Sequence, residues 1–254
     1  MPTFDCFALS DAGRDPDGNE DACVLDEGAG VFVIADGVGG RPGGARASRV
    51  AATTFVDLLR GTPPSQRLEN ATLENAVSRV HDAVLRAGDE DENVRGLAST
   101  LSAVVVEDRQ SCLSPDDGQA GLPVFHAKVV HVGDSRVYHL RNGSIEQLTR
   151  DHTIAAELEA EGVSGGNIGR RFRSMLSRAI GSGESVTPDV RDVTLASGDC
   201  LLLVTDGISK MLAAEELRAL ASGADAHMIC DRIFHAALEK GATDNLTVAV
   251  VNVP

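Results

Sequence analysis

Short apolar runs recur along the chain, and most have the length and the β-branched content of strands. Ten of them predict strands, at residues 4–9, 22–25, 31–35, 100–106, 124–132, 136–140, 145–148, 190–195, 200–205 and 246–251. Asn142-Gly143 lies between two of these runs and predicts a hairpin turn, because both residues tolerate positive φ. The strands are numerous enough for two sheets.

A second spacing, with apolar residues three and four positions apart, predicts amphipathic helices at residues 45–59, 72–86 and 226–239. These helices are grouped and do not alternate one for one with strands, which favours an α+β fold over a doubly wound parallel sheet. A short helix at residues 154–160 precedes a glycine-rich and then an arginine-rich stretch, which together predict a flap near residues 154–180. Residues 111–122 are expected to form a hairpin loop.

The length and composition fit one folded domain. With 254 residues and 43% apolar content the chain can enclose a large core, so a single domain over residues 1–254 is expected. No apolar run approaches the roughly 18 residues that cross a bilayer, and the first residues lack the pattern of a secretory signal. We therefore expect a cytoplasmic protein, without membrane attachment, that acts as a monomer.

Charge and cysteine content exclude other classes of protein. A formal net charge of −15 argues against binding to nucleic acid, which needs a basic surface. The five cysteines are widely spread without a C-x-x-C pair, so neither a zinc site nor a redox motif is indicated. None of the seven histidines has metal-ligand spacing with another, and His152 alone lies beside an acidic residue and the predicted flap.

Acidic residues adjoin several of the predicted strands: Glu20, Asp21, Asp36, Asp134, Asp206 and Asp244. A single Asp-Gly pair is ordinary turn chemistry and indicates little by itself. Carboxylates that were packed together at strand ends would raise one another's pKa unless a cation compensated them. Ligation by oxygen alone favours Mg²⁺ or Mn²⁺ over zinc.

Six motifs occur in a fixed order from about residue 10 to residue 251: Asn19-Glu20-Asp21, Asp36-Gly37-Val38-Gly39-Gly40, Gly133-Asp134-Ser135-Arg136-Val137-Tyr138, Leu148-Thr149-Arg150-Asp151-His152, Asp206-Gly207 and Asp244-Asn245-Leu246-Thr247. In this order they resemble the motifs of the PPM, or type 2C, protein serine/threonine phosphatases, and of the bacterial branch in particular. The resemblance implies a β-sandwich of two antiparallel sheets flanked by helices, with metal ions in a cleft at one end.

The resemblance also implies a role for each acidic residue. Asp36 would bridge two ions of Mn²⁺ or Mg²⁺, the Gly37 carbonyl would complete one of them, and Asp206 and Asp244 would hold the other. Glu20 and Asp21 would act through metal-bound water, and Asp134 would help to bind a third, weaker ion. Asn245 and Thr247 would orient Asp244 by hydrogen bonding.

The chain departs from the family pattern at several positions. Pro16 stands where an arginine binds the substrate phosphate, so Arg14 is the nearest guanidinium that could replace it. Lys210 stands where an acid often supports the third ion, and its ammonium is expected to neutralise Asp134 or Asp206 in part. Val38 and Arg41 replace histidines that other members carry near the Asp-Gly pair.

The leading hypothesis is an enzyme that hydrolyses phosphoserine and phosphothreonine in protein substrates and opposes a cognate serine/threonine kinase. No C-x₅-R or D-x-D-x-T/V motif is present, so a cysteine or aspartyl nucleophile is not indicated. Two alternatives stay open. One is a catalytically weakened member that binds phosphoproteins, and the other is a stress-response phosphatase that acts on an anti-sigma-factor antagonist.

Overall fold

Two antiparallel sheets form the centre of the molecule. The computed structural model describes residues 4–14, 18–38, 43–90, 96–112 and 123–254. The first sheet contains, in spatial order, β1 (Asp5–Asp11), β11 (Leu246–Asn252), β10 (Cys200–Val204), β7 (Arg136–Arg141) and β8 (Ser144–Gln147). The second contains β2 (Asp21–Asp26), β3 (Val31–Val38), β5 (Leu101–Cys112), β6 (Pro123–Val132) and β9 (Asp189–Ala196), and the short strand β4 (Ala98–Ser99) pairs with β3.

Side chains that alternate along the strands form the core between the sheets. On β3, Phe32 and Ile34 face the first sheet, where they pack in one cluster with Leu201 and Leu203 of β10. The intervening residues of β3 face the opposite way, into a second apolar cluster with the helices. Because β3 is buried on both faces, its sequence is a continuous apolar run without polar alternation.

Helices cover the outer face of each sheet. The long helices α1 (Gly43–Arg60) and α2 (Asn70–Asp89) pack on the second sheet, where Phe55 and Leu73 are fully buried. The first sheet is covered by α4 (Asp206–Ser209), α5 (Ala214–Leu220) and α6 (Ala226–Glu239), which share an apolar cluster with its strands. The predicted α+β fold, a four-layer sandwich of helices and antiparallel sheets, is therefore confirmed.

Three local predictions can be compared with the structure. Asn142 and Gly143 have φ of 51° and 75°, and they join β7 to β8 as the predicted hairpin turn. The helices α4 and α5, of four and seven residues, were not predicted. The connection predicted at residues 111–122 lies outside the described residues from position 113 onward.

Residues 154–180, called the flap segment below, leave the sheets as an excursion between β8 and β9. The segment contains α3 (Ile154–Ala160), capped by the Thr153 hydroxyl, and two short 3₁₀ turns. At its root Thr153 pairs with Leu176, and the Ile154 N–H donates to the Met175 carbonyl at 2.9 Å. The predicted flap corresponds to this excursion.

In the described ranges of the chain, no helix is both long enough and apolar enough to cross a bilayer.

Candidate metal centre

The acidic residues singled out in the sequence come from both sheets. Asp21 and Asp36 lie directly opposite each other in the β2–β3 pairing. Asp206 is the first residue of α4, just after β10, and Asp244 lies two residues before β11. Burial raises the pKa of Asp36 well above its usual range, and the charges of Asp21, Asp206, Asp134 and Asp244 raise it further. The structure therefore brings these predicted site residues together in one cluster.

Asp36 and Gly37 do not end their strand, contrary to the sequence prediction. Strand β3 continues to Val38, because Gly37 and Val38 pair with Ser99 and Ala98 of β4. Neighbouring hydrogen bonds fix the Asp36 backbone: its N–H donates to Thr100 Oγ1 at 2.9 Å, and its carbonyl accepts from Thr100 N at 2.8 Å. The carboxylate of Asp36 is thus presented from a rigid strand.

The glycine of each Asp-Gly pair allows two stretches of backbone to approach closely. A Cβ on Gly37 would lie 2.1 Å from the Gly44 carbonyl oxygen in the first turn of α1. A Cβ on Gly207 would lie 2.0 Å from the Asn245 carbonyl oxygen. Neither glycine has positive φ, so neither pair is a turn that requires left-handed backbone. Tertiary packing explains both glycines.

Asp21 has a buried carboxylate oxygen that no protein group among the described residues satisfies. Its Oδ2 accepts a hydrogen bond from the Thr205 hydroxyl at 2.8 Å, whereas its buried Oδ1 has no partner. Burial raises the pKa of Asp21 to about 7, against the hydroxyls of Thr247 and Thr205, which lower it. The charges of Asp206 and Asp244 add to the rise. An orphaned carboxylate oxygen in an acidic cluster suits an oxygen-binding divalent ion.

Asp134 belongs to the same electrostatic system. It follows the Gly133 turn after β6 and is only 8% exposed. Burial raises the pKa of Asp134 to about 7, with further contributions from the charges of Asp206 and Asp151, while the ammonium of Lys210 lowers it.

Lys210 supplies a positive charge inside the cluster. Its ammonium donates a hydrogen bond to Asp206 Oδ2 and lies 3.9 Å from Asp244 Oδ2. Burial acts to lower the pKa of Lys210, but Asp206, Asp244 and Asp134 together raise it above its ordinary value. The ion pair with Asp206 agrees with the expected partial neutralisation of Asp134 or Asp206 by Lys210. In the part of the chain that the structure describes, no three His, Cys, Asp or Glu side chains are already arranged as a metal-ligand group.

Both the backbone and the carboxylate of Glu20 make contacts that fix this residue. Its N–H donates to Asn245 Oδ1 at 2.7 Å, and its carbonyl accepts from Gly37 N at 3.1 Å. Its carboxylate packs against Gly44, where an added Cβ would lie 2.5 Å from Oε2. The first turn of α1 has no acidic residue of its own, so the Glu20 carboxylate provides the negative charge that favours a helix N-terminus.

The predicted orienting roles of Asn245 and Thr247 need correction. The backbone N–H of Asn245 does donate to Asp244 Oδ1 at 3.0 Å. Its side chain instead bonds three backbone groups, those of Glu20, Ala12 and Gly18. The Thr247 hydroxyl bonds Ser10 Oγ at 2.7 Å and lowers the pKa of Asp21. Both side chains therefore position the Glu20-Asp21 pair.

Arg14 lies at the rim of the cluster. It is exposed and follows Gly13, whose φ is 62° and whose added Cβ would lie 2.4 Å from the Asp244 carbonyl oxygen. Val38, also at the edge of this region, is 39% exposed. Pro16 and Arg41, which the sequence comparison singled out, lie outside the described residues.

Two residues of the site were missed by sequence reasoning. Thr100 fixes the Asp36 backbone, and Thr205 binds Asp21 and accepts from the Thr247 N–H at 3.1 Å. Both are fully buried hydroxyl residues at the end of an apolar strand. A threonine at such a position is a signal in the sequence, because a buried hydroxyl needs a hydrogen-bond partner and the neighbouring aspartates could provide one.

Comparisons with known proteins agree with this geometry. A family model described as protein phosphatase 2C matches residues 14–248. Protein phosphatase PhpP of Streptococcus pneumoniae is 29% identical over 258 residues, which cover 96% of this chain and 95% of PhpP. Serine/threonine protein phosphatase PstP of Mycobacterium tuberculosis is 29% identical over 248 residues, which cover 97% of this chain and 44% of PstP.

Solved structures give the same result. The catalytic domain of PstP in complex with two manganese ions has a TM-score of 0.81 and 28% identity, and the match covers 100% of this chain and 99% of that one. The PPM phosphatase MsPP of Mycobacterium smegmatis, in complex with cacodylate, has a TM-score of 0.76 and 30% identity over 98% of both chains. The match over residues 14–248, the paired antiparallel sheets and the acidic cluster together show that this chain belongs to the protein phosphatase 2C family of metal-dependent serine/threonine phosphatases.

Proposed function

We propose that the acidic cluster binds two divalent ions, Mn²⁺ or Mg²⁺, and that the chain uses them to remove phosphate from phosphoserine and phosphothreonine in proteins. Asp36 and the Gly37 carbonyl would contribute ligands from the second sheet, and Asp206 and Asp244 from the first. The observation that carries this proposal is the orphaned, buried Oδ1 of Asp21 within a group of carboxylates that raise one another's pKa. The two manganese ions in the PstP structure support it.

Two divalent ions, when bound, lower the pKa of a water toward neutrality and offset the charge of a phosphoryl group. The protein's own residues have separate tasks. The Asp36 backbone is fixed by Thr100, so its carboxylate needs little reorganisation. The Thr205 hydroxyl keeps one Asp21 oxygen engaged and leaves the other to accept from a water. Arg14, exposed at the rim, would bind the phosphoryl oxygens of the substrate.

Asp134 is proposed as a ligand of a third, weaker ion. Its raised pKa supports a demand for positive charge at this position. The Lys210 ammonium already supplies part of that charge, so the third ion should bind more weakly than the other two.

The substrates are proposed to be phosphorylated proteins, including a cognate serine/threonine kinase. The names of PhpP and PstP as protein phosphatases support a protein substrate. A phosphorylated kinase domain and a phosphorylated anti-sigma-factor antagonist, offered to the protein with Mn²⁺, would separate kinase opposition from the stress-response alternative. We expect faster loss of phosphate from the kinase; preference for the antagonist would favour the alternative.

The central experiment measures hydrolysis of a phosphothreonine peptide while Mn²⁺ or Mg²⁺ is titrated. We expect turnover only with metal, and a loss of at least about a hundredfold in the Asp36→Asn variant, because one ligand charge is removed from the ions. Asp82→Asn, at an exposed position on α2, is the matched control and should keep full activity. A wild-type protein that binds Mn²⁺ but hydrolyses neither the peptide nor p-nitrophenyl phosphate would contradict the proposal and favour a phosphoprotein-binding role.

A further inference from the structure

His152 lies at the root of the flap segment and is almost fully buried, at 2% exposure. Its backbone carbonyl accepts from Ser177 N at 2.9 Å, beside the Thr153–Leu176 pairing that closes the segment. Its neighbours along the chain therefore fix the point where the flap segment leaves the body of the protein.

His152 also forms two hydrogen bonds with Gly133, the residue before Asp134. The His152 N–H donates to the Gly133 carbonyl at 2.7 Å, and the Gly133 N–H donates back to His152 Nδ1 at 3.1 Å. Since Nδ1 accepts from a backbone N–H, it carries a lone pair, and the proton of the neutral ring is on Nε2. Burial lowers the pKa of His152, in agreement with a neutral ring.

The other ring nitrogen faces Asp189, the first residue of β9. His152 Nε2 lies 3.1 Å from Asp189 Oδ2 without forming a hydrogen bond, so the contact is electrostatic. Asp189 Oδ1 accepts from Arg178, a residue of the flap segment, at 2.7 Å. The ring also contacts that of His131 in a tilted arrangement, with 4.6 Å between ring centroids. Asp189, Arg178 and His131 thus determine the orientation of the imidazole.

Gly133 connects this ring to Asp36. Its φ is 111°, and it is so close to Thr100 that an added Cβ would lie 2.5 Å from Thr100 Cγ2. Thr100 Oγ1 accepts from the Asp36 N–H at 2.9 Å and bonds Ser135 Oγ at 2.7 Å. A shift of the Gly133 turn would therefore move Thr100, and with it the Asp36 backbone.

A second path runs in parallel from the end of the flap segment. Ile180 and Ser99 exchange backbone hydrogen bonds of 2.8 and 3.0 Å, and the Ser99 hydroxyl donates to the Asp36 carbonyl at 3.0 Å. The root of the flap segment is thus joined to the Asp36 backbone through both His152 and Ile180.

We propose that His152 is a positioning residue for the phosphatase reaction: it acts through Gly133 and Thr100 to hold Asp134 and Asp36 in register with the root of the flap segment. This inference rests on the proposed metal centre. A buried histidine that only filled the core would need neither the reciprocal bonds to Gly133 nor the Asp189 carboxylate 3.1 Å from its other ring nitrogen.

The test compares two substitutions of His152 that place a side-chain amide at different distances from the backbone. In His152→Asn the side-chain oxygen can occupy the place of Nδ1 and still accept from Gly133 N, whereas in His152→Gln the amide is displaced toward the place of Nε2. With p-nitrophenyl phosphate and saturating Mn²⁺, we expect kcat within about threefold of wild type for the Asn variant and reduced about tenfold or more for the Gln variant. KM should change little in either.

His139 offers a matched control for stability. It is a buried histidine with its own carboxylate and arginine, since Nε2 lies 2.8 Å from Asp199 Oδ2 and Arg141 also bonds Asp199. It pairs with Leu201, the second residue of β10, away from the Gly133 turn. His139→Gln should lower Tm about as much as His152→Gln while leaving kcat unchanged.

Three outcomes would overturn the inference. They are wild-type kcat in His152→Gln, equal losses in the Asn and Gln variants, and losses of kcat that follow Tm across all variants, including His139→Gln. If the His152 variants do not fold, Asp189→Asn, at a side chain that is 48% exposed, replaces them and should lower kcat about threefold at unchanged KM; unchanged kcat there would equally overturn it. Absence of metal-dependent turnover in the wild type would contradict the proposed function itself, a result distinct from failure at His152 alone.

Discussion

Hydroxyl and amide groups hold the acidic side chains of the cluster in place. Thr205 and Thr247 act on Asp21, and the Asn245 amide spans three backbone groups around Glu20. The two hydroxyls stabilise the charged form of Asp21, which burial and like charge would otherwise protonate, whereas the Asn245 side chain fixes only the backbone beside it. The single ammonium of Lys210 has a different effect, because it satisfies a carboxylate that the proposed ions would also need.

Removal of that ammonium should strengthen metal binding. Lys210→Met keeps the length of the side chain but removes its charge. The Asp206 carboxylate then has no ion pair with Lys210 to break before it can bind a metal ion. We expect Mn²⁺ to bind about three to tenfold more tightly by calorimetry, with the larger effect at low salt. The metal-free variant should also be less stable, because carboxylate repulsion is no longer offset.

Lys240→Met is the control for Lys210→Met. Lys240 binds Glu216 on the surface, and its loss should not change Mn²⁺ affinity. Equal or weaker Mn²⁺ binding by Lys210→Met would show that the ammonium does not compete with the ions.

At the scale of elements, the position of the site depends on how closely β3 and α1 approach. The Asp36 carboxylate is presented by a strand that continues through Gly37, and α1 begins directly against that glycine. Similarly, α4 begins at Asp206 because Gly207 admits the Asn245 carbonyl.

A methyl group at position 37 should disrupt this contact. In Gly37→Ala the new Cβ would overlap the Gly44 carbonyl, so the start of α1 must move away from β3. We expect a loss of about 3 kcal/mol in the free energy of unfolding and nearly complete loss of phosphatase activity. Urea denaturation and p-nitrophenyl phosphate hydrolysis measure the two effects.

Gly28→Ala controls for a general effect of replacing glycine. Gly28 does not have positive φ, and its added Cβ would meet only Asp26 Oδ1, at 3.5 Å. The free energy of unfolding of the Gly28→Ala variant should differ from that of the wild type by less than about 1 kcal/mol. Wild-type activity in Gly37→Ala would mean that the β3–α1 contact does not position Asp36.

The elements show why part of the structure was predictable from sequence. The buried strands are visible as short apolar runs and the long helices by their 3.6-residue period, and they were located closely except at the end of β5, which continues to Cys112 beyond the predicted residue 106. The end of β3 was wrong because Asp36-Gly37 has the composition of a turn, and only the neighbouring α1 explains the glycine. The side-chain partners of Asn245 and Thr247 depend on β1 and β2, which are distant in sequence, so spacing could not identify them.

At the scale of the whole molecule, the order of the acidic motifs along the chain predicted which residues would meet. They meet because the two sheets stack, which brings the end of β10 and the start of β11 beside the β2–β3 pair. For the electrostatic balance within that cluster, the sequence predicted raised pKa values and a partly neutralising Lys210, but it did not predict which carboxylate the ammonium would bind, since that depends on burial and on the rotamer of Lys210.

This balance predicts how stability depends on pH in the metal-free protein. Asp21 and Asp134 have a pKa of about 7 in the folded state, and that of Asp36 is also raised, whereas an unfolded Asp titrates near ~3.9. Between these values the folded state holds protons that the unfolded state has released. Their contribution to stability is therefore complete below about pH 4 and is lost as pH rises through 7.

The two buried histidines, His131 and His152, make stability increase with pH, but only below about pH 6.5. Burial lowers the pKa of His131 to about 3 and also lowers that of His152, so folding gains stability from them until the unfolded histidines are neutral. Above pH 6.5 the aspartates dominate. Urea denaturation with a chelator should show the free energy of unfolding falling by roughly 1 kcal/mol per pH unit near pH 7. A rise over pH 6.5 to 8 would contradict this, and Asp21→Asn should flatten the slope.

The hydrogen bonds from Thr205 to Asp21 and from Glu20 to Asn245 each join one sheet to the other. The proposed ligands are divided in the same way, with Asp36 on one sheet and Asp206 and Asp244 on the other. A bound pair of ions would therefore act as a cross-link that closes a loop of some 170 residues between positions 36 and 206, restricting the unfolded chain much as a disulfide does. The sheets could then separate only after the ions leave. The rate of unfolding of the metal-bound protein would therefore be limited by the rate at which the ions are released.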